Sequence, residues 1–109
     1  MSTAEDQPLG GRAGTPAPTT AVTIAVVSWN TRDLLAECLS SMRADAERGT
    51  AEVWVVDNAS TDGSAELVRE RYPWVRLLAL DDNLGFGRAV NRVAEEAGTP
   101  WIAAANADI

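Results

Sequence analysis

The 109 residues are enough for one modest domain, and a formal net charge of −7 argues against a polyanion-binding surface and therefore against nucleic acid as a partner. All nine basic residues are arginine, with no lysine and no histidine, which removes the Ser-His-Asp triad, the Cys-His pair, the histidine metal ligand, the P-loop lysine and the Schiff base. What chemistry remains belongs to carboxylates, amides, arginines and backbone. The single cysteine, Cys38, forms no internal disulfide, and no signal peptide or membrane-length apolar run is visible, so the expected location is cytoplasmic.

Residues 1–20 are rich in Pro, Gly, Thr and Ala without an apolar period and read as a disordered tail. The first strand is Val22 to Ser28, a β-branched run that stops at Trp29 and Asn30. Asn30 or Thr31 is placed to cap a helix whose apolar face carries Leu34, Leu35, Cys38, Leu39 and Met42, with Gly49 as its stop. Cys38 is read as packing rather than as a nucleophile, because it has no partner base. The second strand, Val53 to Val56, has no polar alternation and so suits burial on both faces; it ends in the polar segment Asp57 to Ser64. A carboxylate there can accept hydrogen bonds from a base N–H or a sugar hydroxyl, or Asp57 and Asn58 can simply form an Asx turn while Asp62 caps the next helix.

The second helix starts after Asp62, lays Ala65, Val68 and Tyr72 inward, and is ended by Pro73. The third strand, Val75 to Leu80, carries Arg76, which suggests a position near a sheet edge. A third helix follows, with Phe86, Ala89, Val90, Val93, Ala94 and Ala97 in period and Gly98 as C-terminal cap. The fourth strand, Trp101 to Ala105, delivers Asn106, Ala107 and Asp108 to its end. Trp54, Trp74 and Trp101 are assigned to packing, Trp29 to either a base stack or a lid on the core, and Arg88 and Arg92 to either phosphate or a solvated helix face.

Alternation of strands and helices with short links implies an α/β, Rossmann-like parallel sheet with helices on both faces. In the order 3-2-1-4, Trp29 and Asn30, Asp57, and Asn106 with Asp108 share the rim of one crevice at the carboxyl ends of the strands, where open α/β sheets bind ligands. Gly85-Phe86-Gly87 begins like a dinucleotide fingerprint, but Val90 stands where the third glycine belongs and the segment follows the wrong strand. Asn106 and Asp108 are oxygen donors spaced i and i+2, a pattern able to share a divalent cation such as Mg²⁺ or Mn²⁺ with a substrate diphosphate, or to form a plain solvated turn.

Four segments, VVSWN, VVDNASTDGS, DDNLGFGRAVN and NAD, occur in this order and spacing. Together they resemble the amino-terminal half of a family 2 glycosyltransferase with the GT-A fold, in its rhamnosyltransferase-like branch, over Val22 to Ile109. The resemblance implies inverting, metal-dependent transfer of a sugar from a nucleoside-diphosphate donor to a saccharide or lipid-linked acceptor. Ser28, Trp29 and Asn30 would touch base or ribose, Asp57 would hydrogen-bond the base, and Asn83 and Gly85 would shape the nucleotide pocket. Asp108 would meet metal and diphosphate with Asn106 beside it, and the general base would lie beyond Ile109. The family's triplet usually opens with an acidic residue where this chain has Asn106. On this reading residues 21–109 are the donor-binding half of a longer enzyme, cytoplasmic or peripheral at the inner membrane face, and inactive in transfer alone. Two other readings stay open: a non-catalytic nucleotide-binding or interaction domain, and a sugar nucleotidyltransferase. The latter is disfavoured because SWNTRD, with no glycine and only Arg32, occupies the loop after the first strand.

Overall fold

The computed structural model describes residues 21–107. The tail at 1–20 and Asp108 with Ile109 lie outside the described residues. The elements run β1 (Val22–Ser28), α1 (Arg32–Glu47), β2 (Ala51–Asp57), α2 (Ser64–Arg71), β3 (Arg76–Ala79), α3 (Gly85–Glu96) and β4 (Trp101–Asn106). All strand pairs are parallel, in the order β3-β2-β1-β4, as the alternation of elements requires. Ser28 lies opposite Asp57, and Val27 opposite Asn106, so β1, β2 and β4 end level with one another.

Side chains of a strand alternate between the two faces of a sheet, and here each face has its own core. Val26, Val53 and Val55 pack with Leu35 and Leu39 of α1, Leu67 and Val68 of α2, and Tyr72. Ala25, Val27, Trp54 and Val56 pack with Ala89 and Val93 of α3 on the other face. Full burial of Leu35 and Leu39 at 0% exposure is worth about 1.5–3 kcal/mol each. Tyr72 ties α2 to α1 by donating to the Ala36 carbonyl at 3.0 Å while its hydroxyl lies 2.9 Å from Ser40 Oγ.

Helix ends depart from local capping expectations. Thr31 occupies the N-cap of α1 without a side-chain cap bond, and Asn30 does not cap either; the Arg32 N–H is taken by Asp62 Oδ2 at 3.0 Å, from the loop after β2. At the other end of α1, Gly49 (φ +75) follows the C-cap Arg48, the expected glycine stop. Gly98 is not left-handed, because α3 ends at Glu96 and Ala97 leaves in extended conformation.

Apolar periodicity also overstates burial in three places. Leu34 and Phe86, in the first turns of α1 and α3, are 47% and 44% exposed, although Leu35 beside Leu34 is fully buried. Trp101, assigned above to packing, is 70% exposed at the start of β4. Trp54 is buried, with its indole N–H donating to Glu52 at 2.8 Å, and Trp74 packs edge-on to Tyr72. Arg76 sits on the β3 edge, 3.5 Å from Glu52 and over the Trp54 ring. On the opposite edge, among the described residues, β4 pairs with β1 alone, and Ala103 and Ala104 are both exposed.

Candidate functional site

Where β1, β2 and β4 end, a concavity of ≈ 220 Å³ opens on the α3 side of the sheet, lined by Val27, Trp29, Thr31, Asn58, Asn83, Gly85, Phe86 and Asn106. Strand alternation explains the membership. In β2, Trp54 and Val56 face α3, so Asn58 continues that series; in β1, Ala25 and Val27 do the same and lead to Trp29. Ser28 and Asp57 belong to the opposite series and are 1% and 3% exposed. The crevice therefore gathers Trp29, Asn83, Gly85 and Asn106 of the expected set.

The other expected residues sit elsewhere around it. Ser28 lies with its hydroxyl 3.1 Å from Thr31 Oγ1 and its carbonyl accepting the Asn58 N–H at 2.8 Å. Asn30 lines a neighbouring concavity of ≈ 380 Å³ with Thr31, Arg32, Asp33, Leu34 and Asp62. Asp57 Oδ2 accepts the Ser60 N–H at 3.0 Å, an Asx-type turn, while its Oδ1 is buried and without a hydrogen-bond partner among the described residues. Oδ2 of Asp57 thus shapes the turn, and Asp57 stands beside the residues that line the concavity. Arg88 and Arg92 are exposed, and Arg92 lies 4.0 Å from Glu95, which matches a solvated helix face.

Asn58, Thr31 and Phe86 line the crevice and were not singled out as site residues. Asn58 was legible: a polar residue one step past Asp57 must face the other side of the sheet. It is 2% exposed and both halves of its amide are used, Nδ2 donating to the Gly85 carbonyl at 3.3 Å and Oδ1 accepting the Leu84 N–H at 3.2 Å. In the same loop Asn83 Oδ1 accepts the Gly85 N–H at 2.8 Å. Gly85 has φ +80 with nothing near where a Cβ would lie, so it is the backbone conformation that calls for glycine.

The loops after β1 and β2 are laced together. Asn30 N–H donates to Ser60 Oγ at 2.9 Å, Thr61 N–H to Asn30 Oδ1 at 2.8 Å, and Arg32 N–H to Asp62 Oδ2 at 3.0 Å. Each loop carries a left-handed non-glycine residue, Asn30 at φ +51 and Ala59 at φ +64, conformations that cost about 1–3 kcal/mol and persist only where the surroundings enforce them. Partial desolvation pushes the Asp62 carboxyl up, but hydrogen bonds from Ser64 Oγ and from the N–H groups of Arg32 and Ser64 together outweigh it and hold the group below the usual carboxylate value. Burial pushes the Cys38 thiol up, in keeping with a packing role.

Among the described residues no group of three or more His, Cys, Asp or Glu side chains is placed to hold a metal ion. The side chain that β4 brings to the crevice is the Asn106 amide, which offers a hard oxygen donor of the kind Mg²⁺ and Mn²⁺ accept. Asp108, the expected second donor, lies outside the described residues.

Comparison with known proteins identifies the frame. Over 86 residues the chain is 38% identical to an N-acetylglucosaminyl-diphospho-decaprenol L-rhamnosyltransferase of Mycobacterium tuberculosis, a match covering 72% of this chain and 28% of the relative. It is 40% identical over 88 residues to the succinoglycan biosynthesis protein ExoO of Rhizobium meliloti, covering 80% of this chain and 25% of that protein. The chain thus spans between a quarter and a third of the length of these relatives. A mannosyltransferase from Pyrobaculum calidifontis, solved in complex with GDP-Man and Mn²⁺, superposes with a TM-score of 0.72 at 31% identity, over 84% of this chain and 28% of that one. A four-stranded parallel sheet in the order 3-2-1-4 with helices on both faces matches this GT-A enzyme. The family profile for glycosyl transferase family 2 matches residues 23–109, and the chain belongs to that family.

Proposed function

We propose that residues 21–109 form the donor-binding half of an inverting, metal-dependent glycosyltransferase that moves a sugar from a nucleoside diphosphate to an acceptor hydroxyl. The observation that carries this reading is the crevice at the level ends of β1, β2 and β4, walled by Trp29, Asn58, Asn83, Gly85 and Asn106. Asn83 and Asn106 on its wall carry amides of the kind that hydrogen-bond a base or ribose, and the Trp29 and Phe86 rings offer flat apolar surface. Asn30 and Ser28 hold the first loop in shape, and Asp57 holds the second. Contact with the base is kept for Asp57, whose buried Oδ1 has no hydrogen-bond partner among the described residues, whereas Asn58 spends both halves of its amide on the loop at Leu84 and Gly85.

An acidic chain with a net charge of −7 binds a diphosphate more readily when a cation supplies the positive charge. Asn106 and Asp108 would hold it together with oxygens of the donor diphosphate, the choice of Mg²⁺ or Mn²⁺ being consistent with oxygen ligands. When bound, the cation would offset the charge gathering on the leaving diphosphate. In the inverting reaction an acidic general base, outside residues 21–109, takes the proton of the acceptor hydroxyl as that oxygen attacks the anomeric carbon. The acceptor is a saccharide or a lipid-linked saccharide. The P. calidifontis neighbour's GDP-Man and Mn²⁺ and the M. tuberculosis relative's polyprenyl-diphosphate substrate name support these classes.

Location follows from the same reading: cytoplasmic, or peripheral at the inner membrane face. No helix among the described residues is long and apolar enough to cross a membrane. The test is a titration of the protein with uridine, guanosine and thymidine diphosphates, with and without Mn²⁺, followed by analysis of the products formed from the matching nucleotide sugar. Metal-dependent binding and release of a nucleoside diphosphate are expected. Release of inorganic pyrophosphate would assign a nucleotidyltransferase instead, and no binding of any of the three would remove the donor site.

A further inference from the structure

Trp29 is the largest side chain on the crevice wall and is 54% exposed, so packing alone does little to hold it. The residue that follows it, Asn30, is left-handed. Asn30 is in turn held by Ser60 and Thr61 of the neighbouring loop. The last tie in this series is Asp62. Its Oδ2 accepts the first N–H of α1, from Arg32 at 3.0 Å, while its Oδ1 accepts the first N–H of α2 at 3.1 Å and the Ser64 hydroxyl at 2.5 Å. One carboxylate therefore joins the starts of two helices that are 32 residues apart in sequence, Arg32 and Ser64.

This geometry is unusual for an ordinary cap, which serves its own helix. The α2 bonds are local and would form wherever the second loop lay. The bond to Arg32 is not local: it fixes how far the loop after β1 stands from the loop after β2, and so where Trp29 stands relative to Asn58. A carboxylate is needed for both tasks at once, because an amide has only one acceptor oxygen. We propose that Asp62 is a positioning residue for donor binding, which holds the Trp29 to Thr31 loop in its binding shape before the nucleotide arrives. The inference rests on the donor site proposed above. Asp62 does not line that crevice; it acts through the loop.

A site populated in its competent shape for only a fraction of the time binds more weakly by that fraction. The test uses the protein as its gene encodes it, with Asp62→Ala, Asp62→Asn and Trp29→Ala compared with the parent. Asp62→Asn keeps one acceptor oxygen and so either the α2 bonds or the Arg32 bond. Affinity for the nucleoside diphosphate that the parent binds best, measured with Mn²⁺, is expected to fall about tenfold in Asp62→Ala and by a smaller factor in Asp62→Asn. The donor KM should rise in proportion while kcat of the folded enzyme stays near the parent value. Trp29→Ala should weaken binding as well, and adding Asp62→Ala to it should cost little more, since both changes remove the same wall.

If Asp62→Ala does not fold, Asp62→Asn and the double-mutant comparison decide. Parent-like affinity and KM in a folded Asp62 variant, with only the melting temperature lowered, would make Asp62 a cap and overturn the inference while leaving the donor site intact. A parent protein that binds none of the three nucleoside diphosphates would overturn both. Additive losses in the double mutant would show that Asp62 does not act through Trp29 and would also overturn it.

Discussion

Replacing Asn58 by alanine tests whether the crevice is built as described, because this one side chain connects the end of β2 to the loop that carries Asn83 and Gly85. The substitution removes two hydrogen bonds to backbone, at 3.3 Å to the Gly85 carbonyl and 3.2 Å from the Leu84 N–H. Both are at the long end of the normal range, so each is assigned about 0.5–1 kcal/mol net. The side chain is 2% exposed, and leaving two backbone groups under-satisfied in its place adds about 1 kcal/mol. The sum is about 2–3 kcal/mol, which for a domain of this size lowers Tm by about 10–20 °C.

Urea denaturation with parent and variant gives the free energy, and amide hydrogen exchange at Leu84 and Gly85 gives the local effect. Exchange at Leu84 should rise well beyond what the global loss of stability explains, because its N–H loses its acceptor. Nucleoside-diphosphate affinity should fall with it, by tenfold or more, since the loop forms one wall of the crevice. A change below about 0.5 kcal/mol with Leu84 protection intact would refute the account, by showing that the loop is held by something other than the Asn58 amide.

Four further outcomes are expected. Leu39→Ala should cost about 2–5 kcal/mol in urea denaturation, whereas Leu34→Ala, at 47% exposure, should stay within about 0.5 kcal/mol; equal costs would contradict the burial pattern of α1. Asp57→Asn should leave stability unchanged or raise it by about 1 kcal/mol, because the buried Oδ1 has no partner among the described residues, and should lower nucleotide affinity; affinity at the parent level would remove the base contact from Asp57. Because the Asp62 carboxyl is lowered in the folded state, the stability it contributes is fully present above its unfolded value of about 3.9 and is lost as pH falls through the folded value. Acid titration of stability should therefore show a limb below about pH 4 that is smaller in Asp62→Asn. Cys38, raised by burial, should react with a disulfide reagent more slowly than a free thiol at pH 8 and reach the free-thiol rate only in denaturant.

The sheet order could be read from the sequence because four apolar runs are joined by short links, and Arg76 marked its own strand as an edge. Level strand ends then follow from parallel pairing, which is why residues as distant as Trp29, Asn83 and Asn106 could be expected at one mouth. What escaped the reading is that Asn58, one step past Asp57, faces the α3 side and lines the crevice; the period-2 rule would have placed it there. Helical periodicity marked Leu34 and Phe86 as core because it reports a helix face and not whether a neighbour covers every turn of it. The Asp62 to Arg32 bond was out of reach for a different reason: it joins two loops, and local capping rules see only the helix that follows.

The two borders of the sheet are unequally guarded. On one side β3 is only four residues long, with a paired arginine in place to discourage a newcomer. On the other, the six residues of β4 show bare alanine on both surfaces and a projecting tryptophan at the start, with no charge to repel another strand. Among the described residues no second strand pairs with that margin, which makes it the side of the sheet better suited to extension by further polypeptide or by another copy at high concentration.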